Sequence, residues 1–237
     1  MQYPIRLKIK KFLKKHNFSQ LLTSLILLFA FRPYDSVVLK GTWQIILTTV
    51  FSLSIYSCSE SRNIRTLAAF FALPALVSQW ILLAISSDVL TIFSLSFTTI
   101  FIFFTTSLII KHVVISARVR LESLRGVICA YFMLGFGFAF IYTLLEHLMP
   151  GTFHFSFFNF KDTSHSRHLS EMLYFSFVTL LGIGYGDIVA VGGISQTMAT
   201  LEGMMGQLYV AILVARFVGV YSFYQHKLHL SSKSSHK

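Results

Sequence analysis

Charge is scarce in this chain. Asp, Glu, Lys and Arg together make up 12% of its 237 residues, against about 25% in soluble globular domains. That shortage, with so many apolar side chains beside it, excludes intrinsic disorder and leaves almost no room for a water-soluble enzyme. Cysteine is scarcer still: Cys58 and Cys129 are the only two, and both sit in apolar stretches. Neither a disulfide framework nor a cysteine-based metal cluster is implied. What the chain has in quantity is apolar surface, with 54% hydrophobic residues, 25 Phe, 10 Tyr and a mean hydropathy of +0.68. This is the composition of a membrane protein.

A helix needs roughly 20 apolar residues to cross the hydrocarbon core. Residues 41–59, 66–87, 89–110 and 126–145 each run without a single Asp, Glu, Lys or Arg. Residues 16–31 form a shorter uncharged window that spans only if it tilts little or continues past Arg32 toward Val38. No small-x-small cleavage site follows it, so it reads as a retained first helix rather than a signal peptide. The last apolar stretch, Ile194 to about Phe223, is interrupted by Glu202 and Arg216. Six spans are expected, with Pro74 kinking the third. A further apolar segment, Leu169–Leu181, is too short to cross.

Twenty basic residues against nine acidic ones give a net charge of +11, which in a soluble protein would suggest nucleic acid. Here it tests topology. With the N-terminus cytoplasmic, sixteen of the basic residues fall on the inside and only Arg32, Lys40, Lys161 and Arg167 fall outside. Both termini are therefore expected in the cytoplasm, residues 1–16 being free to lie along an anionic lipid leaflet. Voltage sensors place arginines at every third position within a span. Residues 89–110 contain none, and Arg118, Arg120 and Arg125 have the wrong spacing, so no voltage sensor is expected.

The longest hydrophilic connection, Glu146 to about Gly193, carries the chemistry. Its polar, aromatic first part is followed by SEMLYFSFVTLL, where Ser170 suits a helix start and Glu171 its first turn. Directly after comes Gly182-Ile183-Gly184-Tyr185-Gly186-Asp187. A short helix re-entering from outside would end on this run halfway through the bilayer, where irregular backbone survives only buried in protein or lining water. Glycines alternating with Ile and Tyr permit φ of alternating sign, which would turn successive carbonyls the same way into a ladder able to replace the hydration shell of a cation. The preceding helix would aim its negative end at the same axis. The alternative, a turn linking two helices of a larger bundle, leaves this concentration of special residues unexplained.

The sequence LLGIGYGD resembles the selectivity filter of the tetrameric potassium channels, whose motif reads TVGYG. Arg125–Tyr224 is similar to their complete outer-helix, pore-helix, filter and inner-helix module. The whole chain looks like small six-helix bacterial ion-channel proteins, the first 120 residues by pattern only. The resemblance implies an all-α membrane protein with six transmembrane helices, a re-entrant pore helix and a filter, closed as a homotetramer. It implies a cytoplasmic basic segment 1–17, a four-helix region 18–121, a pore domain 122–224 and a short cytoplasmic tail 225–237, in the inner membrane of a bacterium. K+ would bind at carbonyls of Gly182, Ile183, Gly184, Tyr185 and Gly186. Asp187 would shape the mouth, Tyr174, Phe175 and Thr179 would brace the filter, and Gly203 and Gly206 would be hinges of the inner helix. No cofactor beyond the permeant ion, no enzyme substrate and no nucleic-acid partner are expected.

The sequence departs from that pattern at Gly182, where the family has Thr. Loss of the hydroxyl would weaken the innermost ion site and lower K+/Na+ selectivity, which makes a weakly selective cation channel the nearest alternative. An ion-uptake transporter subunit is a second, disfavoured because such proteins join several pore units in one chain. A membrane enzyme would need converging His, Asp, Glu or Ser at membrane depth. Glu202, an acid within a span, is a functional candidate by type, and the favoured role is a hydrogen bond to the pore helix, with a permeation or proton-linked role as the alternative. Arg216, about 21 Å further along the same helix, is read as snorkelling to the inner interface. His147, His154, His165 and His168 match no tight metal motif and are read as parts of a solvated loop, with pH sensing or zinc binding as alternatives.

Overall fold

The computed structural model describes residues 17–31, 37–58, 62–85, 87–115, 121–156 and 165–234. The basic segment 1–16, Arg118 and Arg120 lie outside the described residues, as do the side chains of Cys58, His165, Arg167 and Arg216. The chain runs α1 (Asn17–Ala30), α2 (Val37–Cys58), α3 (Arg62–Ile81), α4 (Asp88–Ile115), α5 (Leu121–Leu148), β1 (Phe153–Phe155), α6 (His165–Leu180), β2 (Ile188–Ala190) and α7 (Gly193–Ser234).

Five of these helices are long and apolar enough to cross a membrane: Val38–Ser57, Arg62–Ile81, Asp88–Lys111, Ser123–Leu148 and Gly193–Ala215. The first helix is the exception to the six-span expectation. Its 14 residues rise about 21 Å, short of the roughly 30 Å of a hydrocarbon core. It is nevertheless a full member of the packed structure. Phe18, Leu21, Leu25 and Leu28 recur at helical spacing and form one buried stripe that packs with α2 and α5.

Small residues set the close approaches between helices, as expected where lipid competes with every apolar contact. Helix α3 buries Ala68, Ala72, Ala75 and Ser78 along one face and packs against α4. It continues through Pro74, and the Ser78 hydroxyl donates back to the Pro74 carbonyl at 2.7 Å. Gly137 of α5 lets Phe103 of α4 approach so closely that a Cβ would stand 2.9 Å from its ring. Side-chain hydrogen bonds tie α3 to its neighbours, Gln79 Nε2 to Thr98 Oγ1 of α4 at 2.9 Å and Trp80 Nε1 to Thr48 Oγ1 of α2 at 3.2 Å.

Helix α5 is the centre of the molecule, in contact with α1, α4, α6 and α7. Helix α6 packs against α5 and α7, and its Met172 and Phe175 share a buried cluster with Phe153 and Phe155 of β1 and Ile188 of β2. These two strands pair antiparallel with Phe153 opposite Ala190, His154 opposite Val189 and Phe155 opposite Ile188. The ribbon is an addition to the all-helical expectation.

Candidate functional site

Helix α6 ends where its sequence says it must. The amide of Gly182 donates to the Thr179 carbonyl at 2.9 Å, and the amide of Ile183 donates to the Val178 carbonyl at 2.9 Å. This pair of bonds is the Schellman stop, with Gly182 as the left-handed residue that closes it. Gly182 has φ +71°, a value costly for any residue carrying a Cβ. The glycine that the sequence comparison treats as a missing threonine is therefore the helix terminator. Gly184 and Gly186 follow with φ of +61° and +80°, and among the described residues no non-glycine residue, hence neither Ile183 nor Tyr185, has positive φ. The segment thus alternates between left-handed glycines and ordinary backbone over five residues.

The helix begins earlier than Ser170 and Glu171 suggest. It starts at His165, so both residues lie inside it. Nothing in His165–Leu169 breaks a helix, since the stretch contains neither Gly nor Pro.

The last carbonyls of α6, which helix geometry leaves without partners, are all occupied. Phe177 accepts from the Leu181 amide at 3.0 Å, Val178 and Thr179 accept the two bonds of the stop, and Leu180 accepts from the Tyr131 hydroxyl of α5 at 3.1 Å. One residue on, Leu181 accepts from Gln207 Nε2 of α7 at 3.4 Å. The same end of α6 rests on Gly206, where a Cβ would stand 2.1 Å from the Leu180 carbonyl oxygen. Helix α7 runs unbroken through Gly203 and Gly206. The requirement visible at Gly206 is close approach, while a Cβ on Gly203 would have only the Thr179 carbonyl oxygen near it, at 3.8 Å.

Glu202 ties three helices together. The Tyr142 hydroxyl of α5 donates to Glu202 Oε2 at 2.6 Å, and Ser176 Oγ of α6 lies 2.5 Å from Oε1. Ser176 also reaches the Gly135 carbonyl of α5 at 2.7 Å. Glu202, Tyr142 and Ser176 are all fully buried, so each of these contacts replaces a hydrogen bond that water cannot supply. The expected bond between Glu202 and the helix before the glycine run is present, and a second, to α5, accompanies it.

The other end of the glycine run is held by the ribbon. The Asp187 carbonyl accepts from the Ser156 amide at 2.9 Å, immediately beyond the last strand pair. The Asp187 carboxylate itself accepts from the neighbouring Ile188 amide at 3.1 Å. On the α5 side, the buried Glu146 carboxylate accepts from the amides of Gly151 at 2.8 Å and Phe153 at 3.1 Å, which fixes the turn that leads into β1.

Of the two expected aromatic braces, Tyr174 stacks on Tyr185, with ring centroids 6.4 Å apart and planes 4° from parallel. Phe175 points the other way, into a buried group with Tyr142 and Phe153 at centroid distances of 5.2 and 5.3 Å. Ile183 and Tyr185 are exposed in the single chain. His147 Nε2 stands 3.8 Å from Asp88, and His154 is exposed on β1. Burial lowers the His168 imidazole below its ordinary 6.5, Glu146 pushes it up, and His147 pushes it down again. Among the described residues, no three His, Cys, Asp or Glu side chains gather as metal ligands would.

Sequence reasoning misses Gln207, Tyr131, Glu146 and the ribbon. The alternation of Phe153, His154 and Phe155, two aromatics in and one histidine out, was the only local signal for β1. Nothing local marks Gln207 or Tyr131, whose partners lie 26 and 49 residues away.

A protein-family model described as "Ion channel" matches residues 142–222, from the α5 hydroxyl that meets Glu202 through the glycine run and along α7. Two curated relatives, each named Protein LctB, align with the chain. The one from Bacillus caldotenax is 33% identical over 113 residues, and the one from Geobacillus stearothermophilus is 34% identical over 116. Each alignment covers 48% of this chain and 83% of the relative. No solved structure matches. The match to most of each relative's length, together with the family model lying across α5, α6 and α7, shows that the chain belongs to this ion-channel family.

Proposed function

We propose that the chain is one subunit of a homotetrameric potassium channel. Four copies place Gly182–Gly186 around a common axis, and their main-chain carbonyls take the place of the water around K+. Helix α6 is the re-entrant pore helix, α5 and α7 are the outer and inner helices, and Arg125–Tyr224 forms the pore module. The remaining four helices bring the crossings to six in all, and both termini face the cytoplasm. The protein sits in the cell membrane, conduction is passive, and the only cofactor is the permeant ion.

The observation that carries this reading is the run of left-handed glycines at 182, 184 and 186, placed directly on the C-terminal stop of a 16-residue helix. One chain supplies one such strand, and enclosing an ion needs several. The requirement for glycine at position 182 also supports a second reading. A position that cannot carry Thr lacks a hydroxyl at the innermost ion site, which favours a weakly selective cation channel.

The deciding experiment is the reversal potential of purified, reconstituted protein with K+ on one side and Na+ on the other. The expected value lies near the potassium equilibrium potential. A value near zero with robust current would replace potassium selectivity with the weakly selective reading, and current carried by anions would overturn both.

A further inference from the structure

We propose that Gln207 is a specificity-determining residue at the inner end of the glycine run, where its carboxamide stands in for the side chain that position 182 does not have. The inference rests on the channel reading above.

Three observations converge. Gly182 must be left-handed to stop α6, so the chain has no side chain of its own to offer there. Gln207 Nε2 lies 2.7 Å from where a Cβ on Gly182 would be, which means the amide occupies that space. The same Nε2 reaches the Leu181 carbonyl at 3.4 Å, turning the amide toward the start of the run. What delivers it is the neighbouring residue. Gly206 brings the α7 backbone against Leu180 with no room for a Cβ, and Gln207 is carried in by that approach.

A carboxamide offers a donor at one end and an acceptor at the other. With Nε2 directed at Leu181, Oε1 is the acceptor presented to a cation or to the water that accompanies it. Gln207 is exposed in the single chain, so this group is not covered by its own subunit. In a four-fold assembly, four carboxamides form a ring of oxygen dipoles below the first carbonyls, a softer counterpart of the hydroxyl ring that a threonine would make. Replacing them with carboxylates strengthens the field at that point, and replacing them with isobutyl groups removes it.

The test uses Ba2+, a divalent cation close to K+ in size, as the probe. Its dissociation constant is measured by its stabilisation of the full-length purified protein against thermal unfolding, and Rb+ uptake into liposomes is followed in parallel. For Gln207→Leu the Ba2+ dissociation constant should rise about tenfold, and for Gln207→Glu it should fall about tenfold, with Rb+/Na+ discrimination changing in both. Equal Ba2+ affinity in all three proteins, or a shift of both variants in the same direction, overturns the role of Gln207 while wild-type Rb+ uptake still upholds the channel. If Gln207→Leu fails to fold, Gln207→Glu alone decides by the same criterion. A wild type that neither binds Ba2+ nor passes Rb+ overturns the channel reading and this inference with it.

Discussion

Helices α5 and α7 are both apolar spans of the same chain, and they end in opposite circumstances. In α5, 72% of the most apolar stretch is buried inside the single chain; in α7 the figure is 11%. Helix α5 is packed on several sides, whereas α7 is held along one edge by Glu202, Gly206 and Tyr209. Tyr209 donates to the Val127 carbonyl of α5 at 2.6 Å. The rest of the described part of α7 presents Leu201, Met204, Met205, Leu208 and Ile212 to its surroundings. Lipid could cover such a face, but an exposed Gln207 in its midst is a poor match for lipid. The contrast teaches that apolar character decides only whether a helix enters the bilayer. Its partners are decided by a few small or polar residues at one edge.

The edge can be broken most severely at Gly206. Gly206→Ala sets a Cβ against main chain rather than against a side chain that can swing away, and overpacking of that kind costs about 3 kcal/mol or more. The thermal midpoint and Rb+ uptake should both fall sharply, while Met204→Ala on the uncovered face of the same helix leaves the midpoint within a few degrees. Equal midpoints for the two would mean that the α6–α7 contact does not hold the helix.

Next comes Glu202. Glu202→Leu strands the buried Tyr142 hydroxyl, at about 1–3 kcal/mol for an unsatisfied group, and leaves Ser176 with the Gly135 carbonyl alone. Glu202→Gln keeps an acceptor for Tyr142 and a polar partner for Ser176, so its loss should be much smaller. Chemical denaturation in detergent measures both, and a Gln variant as damaged as the Leu variant would show that the hydrogen bonds are not what holds the three helices.

Gly182→Ala is expected to cost about 1–2 kcal/mol from the left-handed backbone alone, with displacement of Gln207 added. The same substitution at Gly151, also left-handed at φ +85° but with open space around it, should cost only the backbone part. The difference between the two midpoints isolates the contact with Gln207.

The smallest effect concerns His168, whose imidazole is pushed below 6.5 by burial and His147 against the pull of Glu146. Below 6.5 the unfolded chain binds this proton more readily than the folded one, so stability contributed by the neutral ring is complete above 6.5 and declines as the pH falls from there. His168→Gln should flatten that part of the stability–pH curve. An unchanged slope would assign it to other groups, with Glu146, His147 and Asp88 the charged neighbours to examine first.

Much of this architecture was legible in the sequence because its signals are local. Uncharged windows mark the long spans, and Gly182–Asp187 announces itself by composition. Glu202 was conspicuous as an acid in an apolar run, and its bond to α6 followed from the lack of water there. The shortness of α1 was visible as a short uncharged window, but where the helix ends was not, because such a window shows where a helix is allowed and not where it stops. Gly206 was legible as a hinge candidate, whereas its close approach to Leu180 was not, because sequence shows flexibility and not neighbours. Gln207 was invisible for the same reason, since a single polar residue gains meaning only from the backbone opposite it. Gly182 was noticed as an oddity, but its reason lies in two hydrogen bonds that spacing alone does not reveal.

The ribbon carries one more consequence. Ser156 and Asp187 share a main-chain bond, and Asp187 is the next residue after Gly186. The segment that follows α5 is thus mechanically in series with the last glycine of the run. A force applied to residues 153–156, by an antibody or any ligand that grips that strand, is transmitted through the strand pairing and the Ser156–Asp187 bond to the backbone next to Gly186, without passing through α7.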